Sequence, residues 1–269
     1  MPLTEHLADL RKRIIISISS VFAWFFICFN YSEDIFRALV FPLKFEIGLI
    51  MKPPYVSLVP SKIRNPSLIF TAPGEAFWMH LKIAFVAGLF LSLPVIFYQI
   101  WKFVSPGLLQ KEKKYVVPVV TGATVLFILG GGFCLLFVLP FAMGFLLTYK
   151  TESMTPMLSI GSYVDFCLKF ILSFGAVFEL PVAIIFLTRI GVVRPDTLAR
   201  NRKYAILFAF IVAAILTPTP DVFTQTLMAV PIIVLYEGGI ILARIINMRQ
   251  NITIADPLTG TDNGEGAVS

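Results

Sequence analysis

Few side chains in this chain of 269 residues could do chemistry, and three of them are carboxylates in unusual company. Asp9 lies one helical turn from both Glu5 and Arg13, so on a helix these charges occupy neighbouring faces. They can pair with one another, or the carboxylate can meet a basic ligand at a surface. Glu112 is the only acid among Lys102, Lys111, Lys113 and Lys114. It either neutralises them or accepts a guanidinium, because an ionised carboxylate takes two N–H donors from one Arg. Glu179 lies in the apolar run Phe174 to Pro181. A charge at mid-bilayer costs about 2.5–3.5 kcal/mol on insertion scales, so such a residue faces a cavity or a partner, or stays protonated against a neighbouring helix. Gln225 and Thr226 add hydrogen-bonding groups where helix–helix contacts use them. Asp221 follows the turn Thr217-Pro218-Thr219-Pro220 and reads first as a helix N-cap.

Other chemistries lack their residues. His6 and His80 lie far apart, and Cys28, Cys134 and Cys167 sit singly in apolar runs, so no metal ligand set or disulfide framework is visible. No glycine-rich phosphate cradle occurs, and no Ser/His pair, HExxH or paired aspartates occupies the apolar segments. The expectation is a protein with no cofactor that is not an enzyme.

The elements that must carry these carboxylates are set by composition. Apolar residues make up 57% of the chain and charged residues 14%, with 26 Phe and a mean hydropathy of +0.85. A soluble domain is nearer half apolar and a quarter charged, so part of the solvent is lipid. Apolar segments at 14–31, 77–101, 115–147, 163–189, 204–217 and 221–243 predict an all-α integral membrane protein of six spans. The third is so long that it must tilt, bend or project beyond the bilayer, and Pro118, Gly130-Gly131-Gly132 and Pro140 give it places to bend. The fifth, at about 21 Å, is short for a bilayer. Six spans put both termini on one side. That side holds 14 of the 22 basic residues against six on the other, with Lys82 and Lys169 inside spans. The positive-inside rule makes it the cytoplasm. The net charge of +6 is thereby an orientation signal and needs no nucleic acid. A loop at 32–76 with six prolines is expected to be a rigid, extended lid rather than a helical domain. The membrane domain should end near residue 247, with 248–269 a disordered cytoplasmic tail.

At these residues the chain resembles the TatC family, the polytopic subunit of the twin-arginine protein translocase. The resemblance rests jointly on His6-Leu7-Ala8-Asp9-Leu10-Arg11-Lys12-Arg13, Pro94 through Glu112, Phe174 through Pro181 and Thr217 through Gln225. It implies a concave, glove-like bundle with a periplasmic cap and short fifth and sixth spans, lying in the bacterial inner membrane. It also implies a receptor that binds the twin-arginine signal peptide of folded proteins, with Asp9, Arg11, Phe103 and Glu112 at that site. The family usually has Glu where this chain has Asp9. Glu179 and Gln225 would position single-span partners like TatA and TatB in an intramembrane pocket, and Pro42 would belong to the cap. Self-association in the receptor complex is a further implication. A proton-coupled secondary transporter using Glu179 is the competing reading, although no internal repeat supports it.

Overall fold

Lipid offers a backbone no hydrogen bonds, so apolar runs of this length must close their own as helices. The structure, a computed structural model, describes residues 3–49, 56–60, 68–104, 116–148, 157–217 and 221–255. Among them, five helical segments are long and apolar enough to cross a membrane: Glu5–Asn30, Glu75–Phe103, Val117–Thr148, Ile160–Arg189 and Val222–Ile246. They belong to α1 (Leu3–Asn30), α4 (Glu75–Val104), α5 with α6 (Val116–Phe133, Leu139–Thr148), α7 with α8 (Ile160–Phe178, Leu180–Arg189) and α11 (Val222–Ala255). The expected fifth span corresponds to α10 (Arg202–Leu216), whose 15 residues rise only about 23 Å. A short helix, α9 (Pro195–Arg200), leads into it. α11 runs past the expected boundary at residue 247 to Ala255, and the residues after that lie outside the described ones.

α7 is the central post. Phe170, Phe174, Val164 and Cys167 on it are fully buried, packed with Ile83 of α4 and Leu139 of α6, and the cluster extends to Met228 of α11. The outer faces stay apolar as well, with Phe22, Phe26, Phe85, Leu129, Phe208 and Val234 exposed, as a surface wetted by lipid requires. The long third segment is interrupted between its expected breakers. After Gly130-Gly131-Gly132 the helix widens into a π turn at Cys134–Val138, where the Leu139 N–H bonds back to the Cys134 carbonyl. Pro140 has no N–H, and its ring would crowd the carbonyl four residues back; the wider turn relieves both.

α1 packs along α4, and a glycine sets their spacing. A Cβ on Gly88 would come within 2.8 Å of the Phe25 backbone nitrogen and 3.0 Å of its Cα. Backbone cannot swing aside as a side chain can, so any larger residue must push α1 outward. Gly88→Val is expected to destabilise the chain by about 1–3 kcal/mol. Thermal unfolding of the detergent-solubilised protein measures this, and an unchanged midpoint would contradict the close contact.

The 32–76 segment corrects the expectation of an extended lid. It begins with α2 (Ser32–Leu39) and α3 (Phe41–Lys44), and only then extends into a hairpin of β1 (Phe45–Leu49) and β2 (Val56–Pro60). The hairpin is antiparallel, with Phe45 opposite Pro60 and Leu49 opposite Val56. Proline density misled because a proline is tolerated in the first turn of a helix, where its N–H would be unbonded anyway. Pro42, the second residue of α3, is such a case. A second, parallel pairing joins β3 (Leu68–Ile69) to β4 (Leu158–Ser159) at the mouths of α4 and α7.

Candidate recognition surface and intramembrane site

At the end of the bundle that carries the N-terminus, the first turns of α1 lie against the last turn of α4. The rings of His6 and Phe103 stack, with centroids 4.4 Å apart and planes 20° from parallel. Trp101, two residues earlier, meets Phe186 of α8 edge-on at 4.9 Å, which anchors the same end of α4 from the other side. On α1, His6, Asp9 and Arg13 follow i, i+3, i+7 spacing and so share a face. One Asp9 carboxylate oxygen, Oδ2, accepts from Arg13 Nε at 2.8 Å and lies 2.7 Å from a second nitrogen of the same guanidinium. Arg13 is largely covered, its side chain 13% exposed, while Asp9 remains 37% exposed. Arg11 and Lys12 point outward.

The structure therefore gathers Asp9 and Phe103 at one place through His6. Sequence reading set His6 aside when it found no metal set; its spacing relative to Asp9 was the available signal. Glu112 lies outside the described residues, which stop at Val104 and resume at Val116.

Glu179 occupies the junction of α7 and α8. Its N–H bonds to the Ala176 carbonyl at 3.2 Å, and its own carbonyl accepts from Ala183 at 2.9 Å, so one helix ends and the next starts at this residue. Pro181 in the first turn of α8 explains the reset, since it cannot supply the bond that would continue α7. Glu179 Oε1 is buried without a hydrogen-bond partner among the described residues. The helices pack tightly here, for a Cβ on Gly130 would reach within 2.7 Å of the Phe174 carbonyl oxygen and of the Phe178 ring.

Beside the junction runs an apolar groove of about 700 Å³ between α7, α8, α10 and α11, walled by Ala176, Leu180, Ala183 and Val212. Its far rim is polar. Arg202 and Glu237 pair there at 2.7 Å, and the Tyr236 hydroxyl donates to the Leu198 carbonyl at 3.0 Å. Gln225 is not joined to Glu179: its amide donates to the Phe210 carbonyl at 3.0 Å and ties α11 to α10. Asp221 caps α11, accepting from the Thr224 N–H at 2.7 Å, as its position after the proline turn implied.

At the opposite end of the bundle, Pro42 is buried and the Tyr163 hydroxyl donates to the Leu39 carbonyl at 2.6 Å, seating the cap on α7. Nearby is a residue that sequence reading missed. The Glu75 carboxylate accepts from the Thr71 N–H at 2.6 Å, the Thr71 hydroxyl at 2.9 Å, the Gly161 N–H at 2.7 Å and the Ser159 hydroxyl. It thereby clamps β3 to β4. An acid at the first turn of a helix reads simply as a favourable charge for the helix dipole, which hides the other partners.

Comparison with known proteins places this arrangement. The family model described as Sec-independent protein translocase protein (TatC) matches residues 5–231. The chain is 39% identical over 249 residues to the Sec-independent protein translocase protein TatC of Magnetococcus marinus, covering 93% of this chain and 86% of that protein. It is 37% identical over 252 residues to the protein of the same name from Aquifex aeolicus, covering 93% and 98%. Two crystal structures described as the twin arginine translocase receptor TatC superpose with TM-scores of 0.72 and 0.74, at 36% and 37% identity. They cover 89% and 88% of this chain, and it covers 98% and 99% of theirs.

Proposed function

This chain belongs to the TatC family of Sec-independent protein translocase proteins, and we propose that it is the translocase's membrane receptor for twin-arginine signal peptides. The observation that carries the reading is the His6–Phe103 stack, which sets the Asp9 face of α1 beside the end of α4, eight positions before Glu112. The surrounding surface is basic, with Arg11, Lys12, Lys102 and the lysines beside Glu112, and repels a cationic peptide in general. Carboxylates placed within it admit only a ligand that pairs with them well. Asp9 already holds a guanidinium, that of Arg13, through one of its two oxygens. A signal-peptide arginine would take over that contact, Glu112 would take the second arginine, and Arg11 and Phe103 would border the peptide.

The same reading assigns the groove beside Glu179 to the apolar helices of single-span partners like TatA and TatB. Glu179 would give them a polar contact at depth, and Gln225 would hold the groove's α10 wall in place through Phe210. Both termini would face the cytoplasm, Pro42 would help to seat the extracytoplasmic cap, and copies of the chain would associate in the receptor complex.

Ligand chemistry tests the receptor role. A planar guanidinium makes the bidentate contact and an ammonium does not. A precursor carrying a photoreactive group beside its arginine pair should crosslink to the wild-type chain in membranes about tenfold more than its twin-lysine form. Equal yields from the two precursors would overturn the proposal.

A further inference from the structure

The receptor reading leaves two lysines unused. Lys82 on α4 and Lys169 on α7 both belong to segments apolar enough to cross the membrane. Lys82 is 20 positions from Lys102 at the other end of α4, and Lys169 is 20 positions from Arg189 at the end of α8. At about 1.5 Å per residue each interval is about 30 Å, the thickness of the hydrocarbon core. Both spans, α4 and the α7–α8 pair, thus put the second headgroup layer near these lysines. Lys82 and Lys169 sit at its level, and the first turns of α4 and α7 project beyond it. The lysines are at an interface and not in the middle of the lipid.

Between them is a groove of about 530 Å³ formed by α1, α4 and α7. Asp165 sits at its charged edge and accepts from Lys82 Nζ at 2.7 and 2.9 Å. Lys169, one turn further along α7, is exposed and has no ion-pair or hydrogen-bond partner among the described residues. The edge therefore carries two cations and one anion, a surplus of one positive charge. Phe85 and Leu172, each about one turn deeper than these lysines, and Phe25 of α1 make the lower wall apolar.

We propose that this groove binds one anionic glycerophospholipid of the leaflet opposite the N-terminus, its phosphate on Lys169 and Lys82 and an acyl chain along Phe25, Phe85 and Leu172. A phosphodiester supplies the single negative charge that the edge lacks, and the order of charged rim above apolar wall is the order of a lipid molecule. Asp165 limits the affinity by holding Lys82. A lysine at a membrane surface contributes about fivefold to the binding of an anionic headgroup.

Native mass spectrometry of the full chain in detergent, titrated with phosphatidylglycerol, tests the assignment. Lys169→Gln should weaken the first binding event about fivefold, Lys169→Arg should restore it, and Asp165→Asn, which frees Lys82, should strengthen it. Equal binding of a diacylglycerol with the same acyl chains, or no difference between wild type and Lys169→Gln, would overturn the proposal. Should Lys169→Gln unfold, the Asp165→Asn result decides by its sign. A photoreactive residue at position 172 should label phospholipid in native membranes, and labelling of a protein chain in its place would also overturn the lipid assignment.

Discussion

Loss of both carboxylates of the proposed receptor site, in Asp9→Ala combined with Glu112→Ala, should reduce twin-arginine peptide affinity by a factor of about 10 to 100. A charge-assisted bidentate contact is worth about 1.5–3 kcal/mol, or roughly tenfold to a hundredfold in affinity for a carboxylate that has no competing partner. The two single changes are not expected to be equal. Asp9 gives up Arg13 before it can accept a new arginine, so its net gain is the difference between two similar contacts. Glu112 is the sole acid among four lysines, and its removal also leaves their repulsion uncompensated. Glu112→Ala should therefore be the costlier single change, by several-fold, as read by anisotropy of a labelled signal peptide against the detergent-solubilised chain. Wild-type affinity in Glu112→Ala would remove that residue from the site.

The second large effect concerns Glu179, and its two readouts should move in opposite directions. An unpartnered carboxyl oxygen buried at depth in the bundle is a burden on the folded chain. Glu179→Leu removes it and should stabilise the isolated protein by about 1–3 kcal/mol, the scale of a buried polar group without a hydrogen-bond partner. If that carboxyl is the contact for partner helices, export of a twin-arginine precursor by membranes containing the variant should fall at least about tenfold. A variant both less stable and inactive would point to a structural role and defeat the assignment. A rise in thermal midpoint together with lost export is the pattern that a binding group produces.

The bundle was legible in the sequence because lipid leaves a spanning chain so few options. Apolar length located the helices, and Pro140 with the preceding glycines located the interruption at the π turn. The short α10 appeared as a segment too brief for a bilayer. The cap was not legible, since a proline at position 42 suits an extended strand and a helix start equally well. Local pattern found Asp9 and Glu179, whose oddity is a charge in the wrong surroundings. It missed His6 and Glu75, whose partners Phe103 and Gly161 are distant in sequence and come close only when helices pack. Gln225 was seen as polar in an apolar run, but its bond to Phe210 depends on how α10 meets α11.

The Glu75 clamp bears on the order in which the protein is made. Gly161, one of its donors, follows Glu75 by 86 positions. At about 5–20 residues per second, that interval is on the order of ten seconds of synthesis. For that time the cap segment and the start of α4 exist without two of the groups that will fasten them, Ser159 and Gly161, and the clamp can close only once those residues have been made.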